Sequence, residues 1–211
     1  MKKLFAVCLI AFAFTMSSHA AGIEFFHGTW AEGVAKAKAE NKKIFIDFFT
    51  EWCGPCLNMA LTVFPQPEVG ETYNKDFVCM KIDAEKGEGV DLARKYQVRS
   101  YPSYIFVDPA TEEMIHRSGG NKPMIDFIND TKGALDPKQS SIYLDSKYAS
   151  GDYDADFLMS YIRGKKTSGR RNQLQDFNKL ISMGCKLTDR NTWEIFNECV
   201  TGFDNPYIKQ V

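Results

Sequence analysis

The stretch FFTEWCGPCLNM, residues 48–59, follows the apolar run KKIFIDFF (42–49) and opens what reads as a helix. At that junction Cys53 and Cys56 flank Gly54 and Pro55. Such a pair serves as half of a zinc site, as a structural staple, or as two thiols that cycle between reduced and oxidised. Zinc needs two further ligands at suitable spacing, and beyond residue 20 the chain offers only His27 and His116, far apart. A staple across so few residues removes little entropy from the unfolded chain. The redox reading remains, and it has a physical case of its own. At the first turn of a helix, unsatisfied N–H groups point at the Cys53 sulfur and favour thiolate, which makes Cys53 the nucleophile. Cys56, one turn later, attacks any mixed disulfide that forms. Pro55 fits because a proline in the first helical turn loses no needed hydrogen bond.

Asp47 sits inside the apolar run, six residues before Cys53. A carboxylate there is costly unless it hydrogen-bonds or titrates. It reads either as the proton acceptor for Cys56 or as a strand-end aspartate bonded to backbone.

Working outward, helix and strand alternate. Residues 29–40 (TWAEGVAKAKAE) have helical spacing, and 42–49 is a short continuous apolar run of the kind buried on both faces of a sheet. LNMALTVF continues the cysteine helix until Pro65 and Pro67, and PEVGETYNKDF resumes helical. FVCMKID (77–83) is a second buried strand, Gly87 and Gly89 a loop, VDLARKYQ a helix and SYIFVD (103–108) a third strand. A turn at Asp108–Thr111 leads into EEMIHRSG, an antiparallel edge strand, and a helix from Lys122 to Leu135 carries an apolar stripe. The fold class is α/β: a mixed central sheet flanked by helices over residues 21–135, followed by an all-α extension over 136–211.

The N-terminus bounds the destination. Lys2 and Lys3 precede an apolar segment from Leu4 to Phe14, too short to cross a bilayer, and Ser18 and Ala20 offer a cleavage site. Residues 1–20 read as a secretory signal peptide of bacterial type, so the mature protein is expected to be periplasmic, with no membrane span. Five cysteines follow the signal (Cys53, Cys56, Cys79, Cys185 and Cys199), an odd number that leaves at least one free or paired outside the chain. The formal net charge is −1 and there is no basic patch, so no nucleic-acid partner is expected.

The chain resembles the thioredoxin superfamily over roughly residues 24–134. The resemblance is carried by DFFTEWCGPC with its WCGPC core, by KIDAEKGEG, and by VRSYPSYIFVD. The run from KAKAENKKIFIDF through TVFPQPEV is most similar to the exported branch that includes the C-terminal domain of a membrane thiol transporter. The resemblance implies a thioredoxin fold and a thiol-disulfide oxidoreductase, with Cys53 and Cys56 as the redox-active disulfide and Asp47 as buried proton acceptor. It implies further that Trp52 covers the site, that Gly54 and Pro55 contact substrate beside it, and that Tyr101 with Pro102, matching the family's cis-proline, forms the edge on which substrate backbone docks. Protein disulfides are the implied clients and a membrane thiol the implied electron donor; no cofactor and no metal are expected. Two departures stand out. Cys79 occupies the third-strand position where many members carry a buried lysine opposite the aspartate, and Tyr101 stands where a small aliphatic residue is usual.

Residues 136–211 lie outside the resemblance and read as short amphipathic helices, with Gly151 as a stop, Asp152 near the next start and GKKTSG (164–169) as a loop. DRNTWEIFNECV (189–200) reads as a last helix with Trp193, Phe196 and Val200 on one face. That helix would hold Cys185 and Cys199 apart as free thiols. The extension is either a cap on the α/β domain or a partner-binding appendage. The whole chain reads as a periplasmic reductase of protein disulfides, because a Gly-Pro pair adds no group that stabilises the Cys53 thiolate, and a less stabilised reduced form is a weaker oxidant. A disulfide isomerase and a redox-responsive binding protein are the alternatives.

Overall fold

The computed structural model of the protein describes residues 22–167 and 173–199. The signal peptide expected at residues 1–20, the end of the GKKTSG segment and Val200 lie outside them.

The α/β part runs β1 (Phe25–Phe26), α1 (Trp30–Glu40), β2 (Lys43–Phe49), α2 (Gly54–Thr62), α3 (Pro67–Asp76), β3 (Phe77–Asp83), α4 (Gly89–Lys95), β4 (Ser103–Val107), β5 (Met114–Gly119) and α5 (Met124–Leu135). The five strands form one sheet in the order β1-β3-β2-β4-β5. β1, β3 and β2 are parallel, β4 pairs antiparallel with β2, and β5 pairs antiparallel with β4. This is the mixed sheet that the sequence led us to expect. The two-residue β1 is new: Phe25 and Phe26 pair with Cys79 and Met80.

Alternation along the central strand divides the core in two, since successive strand side chains point to opposite faces. Ile44, Ile46 and Phe48 pack with Val34 and Ala37 of α1 and with Leu92 and Tyr96 beside α4. Phe45 faces the other way, into an aromatic cluster with Met59 of α2, Tyr73 of α3, Tyr104, Phe106 and Phe127 of α5. Tyr73 stacks on Phe127 at 4.6 Å and donates its hydroxyl to the Phe127 carbonyl at 2.7 Å. Each of these fully buried aromatic side chains stabilises the fold by about 1.5–3 kcal/mol through burial alone.

Helix ends follow local chemistry. Thr29 and Glu32 form a capping box at the start of α1, and Asn41 closes it in the left-handed conformation at φ 53°. Gly89 is the first residue of α4 rather than part of the preceding loop. A Cβ there would come within 2.0 Å of the Asp83 carbonyl oxygen, so glycine is what lets this helix start so close to the end of β3.

After a 3-10 turn (Pro137–Gln139) the extension folds as α6 (Ser141–Ser150), α7 (Ala155–Thr167), α8 (Gln173–Ser182) and α9 (Arg190–Cys199). Gly151 stops α6 at φ 73°, in accord with its expected role. Asp154 rather than Asp152 accepts from the first turn of α7, through the Phe157 N–H at 2.8 Å. Residues 164–167 are the last turn of α7, not a loop. The buried face of α9 consists of Thr192, Ile195, Phe196 and Cys199. Trp193, expected on that face, lies at its margin, 37 % exposed and stacked on Phe196. A core of Leu158, Ile162, Phe177, Leu180, Ile195 and Phe196 joins α7, α8 and α9.

α6 meets the α/β part at β5. The Ser141 N–H donates to His116 Nδ1 at 2.9 Å, and the Arg117 N–H donates to Ser141 Oγ at 2.8 Å. His116, on the edge strand read from the sequence, is buried. Among the described residues no helix is long and apolar enough to cross a membrane.

Candidate active site

β2 delivers the chain to the site and α2 carries it away, so the site sits where strand passes into helix. Cys53 is the N-cap of α2, its backbone extended at φ −80° and ψ 96°, with Pro55 in the first turn. The Cys56 N–H donates to Cys53 Sγ at 3.1 Å, and the Cys53 N–H donates to the Thr50 carbonyl at 3.2 Å. A backbone donor therefore aims at the Cys53 sulfur, as the sequence argument required; the same donor stabilises thiolate when the pair is reduced. The two sulfurs form a disulfide with Cα atoms 5.3 Å apart. The two cysteines are equally buried, Cys53 at 5 % and Cys56 at 4 % exposed. What distinguishes them is the hydrogen bond at Cys53 Sγ.

Cys56 and Met59 are the buried residues of α2, and Met59 packs on Phe45. Asp47 follows Phe45 by two positions and so points to the same face of β2 as Phe45, the face on which Met59 of α2 packs. Asp47 is fully buried and neither carboxyl oxygen has a protein hydrogen-bond partner. The strand-end aspartate bonded to backbone is thereby excluded. Burial raises its pKa from 3.8 to about 7, against a smaller opposing pull from Lys81.

Lys81 corrects the sequence reading. The residue paired with Asp47 across β2 and β3 is Lys81, whereas Cys79 pairs with Phe45 two positions away. The cation expected to be missing is present at the neighbouring site, but exposed, with Nζ 4.8 Å from the Phe49 ring centroid. Cys79 is a buried thiol whose pKa burial pushes well above the usual thiol range, so it is an apolar filler of the core.

Trp52 is 70 % exposed, yet it is held in place. Its indole Nε1 donates to Glu85 Oε2 at 2.9 Å, and its ring meets Tyr101 edge to face, with centroids 5.9 Å apart and planes at 81°. The Tyr101–Pro102 peptide is cis. The Gly120 N–H donates to the Pro102 carbonyl at 2.9 Å, and a Cβ at Gly119 would come within 2.8 Å of that oxygen. Trp52 thus links the cysteine turn, in which Gly54 and Pro55 are exposed, to Tyr101 and the cis peptide at Pro102. Leu57 and Leu61 are both exposed on α2. The sequence reading missed Lys81 and Glu85. An alternation argument places Lys81 on the Asp47 face, but only the strand register pairs the two.

Residues 26–109 match the profile of a thioredoxin-like family. The solution structure of a protein described as a disulphide-isomerase of Bacteroides thetaiotaomicron is 36 % identical, covering 56 % of this chain and 96 % of that one, with a TM-score of 0.51. The chain belongs to the thioredoxin superfamily. Among curated thioredoxin-like relatives, thioredoxin-1 of Drosophila yakuba is 39 % identical over 69 residues, which is 33 % of this chain and 60 % of that protein. The thiol:disulfide interchange protein DsbD of Pseudomonas fluorescens is 32 % identical over 79 residues, 36 % of this chain and 13 % of that protein. The match thus spans 60 % of the length of the curated thioredoxins. The thioredoxin-like match stops short of α5 and of the helical extension.

Proposed function

We propose that this protein is a periplasmic thiol-disulfide oxidoreductase that reduces protein disulfides through Cys53 and Cys56. The observation that carries the reading is the Cys53–Cys56 disulfide at the N-cap of α2, with a backbone N–H on Cys53 Sγ and, on the strand that leads into the site, a buried carboxyl of pKa about 7. In the reduced protein the Cys53 thiolate attacks one sulfur of a client disulfide, forming a Cys53–client bond and expelling the other client sulfur as a thiolate. Cys56 then passes its proton to Asp47 and attacks Cys53 Sγ, which re-forms the Cys53–Cys56 bond and releases the second client sulfur. Two electrons move from protein to client, and a dithiol donor, which we take to be a membrane thiol protein, returns them. A carboxyl titrating near pH 7 suits proton exchange at neutral pH. Trp52, Gly54 and Pro55 line the client's approach, and Tyr101–Pro102 offers the docking edge. The signal-like N-terminus supports a periplasmic setting.

Insulin reduction by the mature protein with dithiothreitol as donor tests the reading. Turnover that is lost in Cys53→Ser is expected; a fully reducible Cys53–Cys56 pair without turnover refutes it and favours a redox-responsive binding protein. Isomerase activity is the second reading, favoured by the similarity to the Bacteroides protein described as a disulphide-isomerase. Reactivation of scrambled ribonuclease faster than insulin reduction would select it.

A further inference from the structure

The wall of the site formed by Trp52, Tyr101 and Glu85 has a chemistry that the exchange reaction does not use. Trp52 presents most of its indole to solvent, and Tyr101 stands nearly perpendicular to it at 5.9 Å. Two rings at a right angle leave a notch bounded by the face of one ring and the edge of the other. Glu85 closes its rim, with one carboxylate oxygen accepting from the indole at 2.9 Å. Glu85 is itself set by its own backbone, whose N–H donates to Asp83 Oδ1 at 3.0 Å. The adjacent Lys86 does not neutralise Glu85, because its amine is engaged by Glu51 and lies 3.6 Å from Asp83. Three carboxylates, Glu51, Asp83 and Glu85, thus stand against the two amines of Lys86 and Lys81, the latter over the Phe49 ring, on this side of the site. Aromatic faces attract cations, and a carboxylate at the rim adds to the attraction. Leu57 and Leu61 on α2 are exposed and carry no charge.

Resting on the oxidoreductase reading above, we infer that the Trp52–Tyr101–Glu85 notch selects clients that carry a lysine or arginine next to the cysteine under attack. Trp52 directly precedes Cys53, so a cationic side chain neighbouring the client cysteine reaches its ring while the sulfurs meet. Arg99, exposed two residues before Tyr101, opposes the field of the carboxylates and holds the preference to a few-fold.

The probes are blocked peptides Gly-X-Cys-X-Gly as disulfide-linked homodimers, with X lysine, glutamine or glutamate. Rates of reduction by the pre-reduced protein are divided by the rates with dithiothreitol alone, which removes the intrinsic reactivity of each disulfide. The lysine peptide is expected to react roughly fivefold faster than the glutamine peptide, and the glutamate peptide slowest. Glu85→Gln keeps an oxygen for the indole N–H but removes the charge; the lysine preference should fall below about twofold, as it should for the wild type in about 0.5 M salt, where screening shortens to a few ångströms. Equal rates for all three peptides overturn the inference and leave the oxidoreductase reading standing. A lysine preference that survives Glu85→Gln undiminished also overturns it. Failure to reduce any peptide, with Cys53 and Cys56 shown reduced by thiol titration, overturns both.

Discussion

Replacing Asp47 by asparagine removes the charge and keeps the shape, so it isolates what that carboxyl does to stability. In the folded protein the pKa is about 7, raised by burial from the ordinary 3.8. Between those values the unfolded chain has released its proton and the folded one has not, so the folded state binds more protons and stability falls as pH rises. Below about pH 4 both states are protonated and the group contributes no pH dependence; above about pH 7 the loss is complete. At about 1.4 kcal/mol per pH unit, the loss over that window is about 4 kcal/mol. The buried amide that replaces the carboxyl shares the desolvation cost of the neutral acid, so this cost cancels when the two proteins are compared across pH. The prediction is that Asp47→Asn gains on the wild type by about 4 kcal/mol between about pH 4 and pH 8, levelling off above about pH 7. Denaturant unfolding at half-unit steps of pH, without reductant so that Cys53–Cys56 stays closed, reads it directly. A stability difference that is flat from about pH 5 to pH 8 would show that Asp47 is not held protonated by burial, and the proton-acceptor role would lose its physical basis. The same variant should also resolve mixed disulfides more slowly near neutral pH.

Other perturbations probe neighbouring parts of the site. Cys56→Ser leaves the nucleophile at its N-cap without a resolving thiol, so it should accumulate client adducts on nonreducing gels, while Cys53→Ser should not; equal trapping by both would reverse the assignment of roles. Lys81→Met removes the cation that lowers the Asp47 pKa, so the Asp47 titration should move upward by less than about one pH unit, with Lys81→Arg unchanged; carboxyl infrared or NMR titration reads the shift. Asp130 accepts from Lys122 Nζ at 2.8 Å and from Ser118 Oγ at 2.5 Å, all buried, so Asp130→Ala strands a buried ammonium. It should cost about 3–5 kcal/mol in denaturant unfolding; a loss below about 1 kcal/mol would mean that Lys122 escapes to solvent.

Much of this was legible in the residues. The apolar runs of β2, β3 and β4 have the length and continuity of strands buried on both faces, and their ends fall within one residue of those read from the sequence. Pro55 and Gly151 carried their helix-end chemistry locally. What was not legible depends on register or on distant partners. β1 is too short to show any period and exists only because Phe25 and Phe26 find Cys79 and Met80. Lys81 was passed over because the lysine of related proteins aligns with Cys79, whereas the residue that stands opposite Asp47 in the sheet is set by register. Glu85 became part of the site only through a hydrogen bond spanning 33 residues. The last turn of α7 was read as a loop because glycine, two lysines and threonine lack a local helix signal, yet that turn continues a helix with Leu158, Tyr161 and Ile162 already anchored in a core.

The two hydrogen bonds that tie Ser141 to β5 have a consequence for how copies of this protein meet. β5 is the last strand of the sheet, and Arg117 turns its N–H outward, toward the place a sixth strand would occupy. An open strand edge invites edge-to-edge association between chains. Here the side-chain oxygen of Ser141 takes that N–H, and the first turn of α6 stands where an incoming strand would have to align. Whatever else the helices beyond Leu135 do, they close the sheet against self-recruitment, and a chain cut there would present β5 to its neighbours as a template.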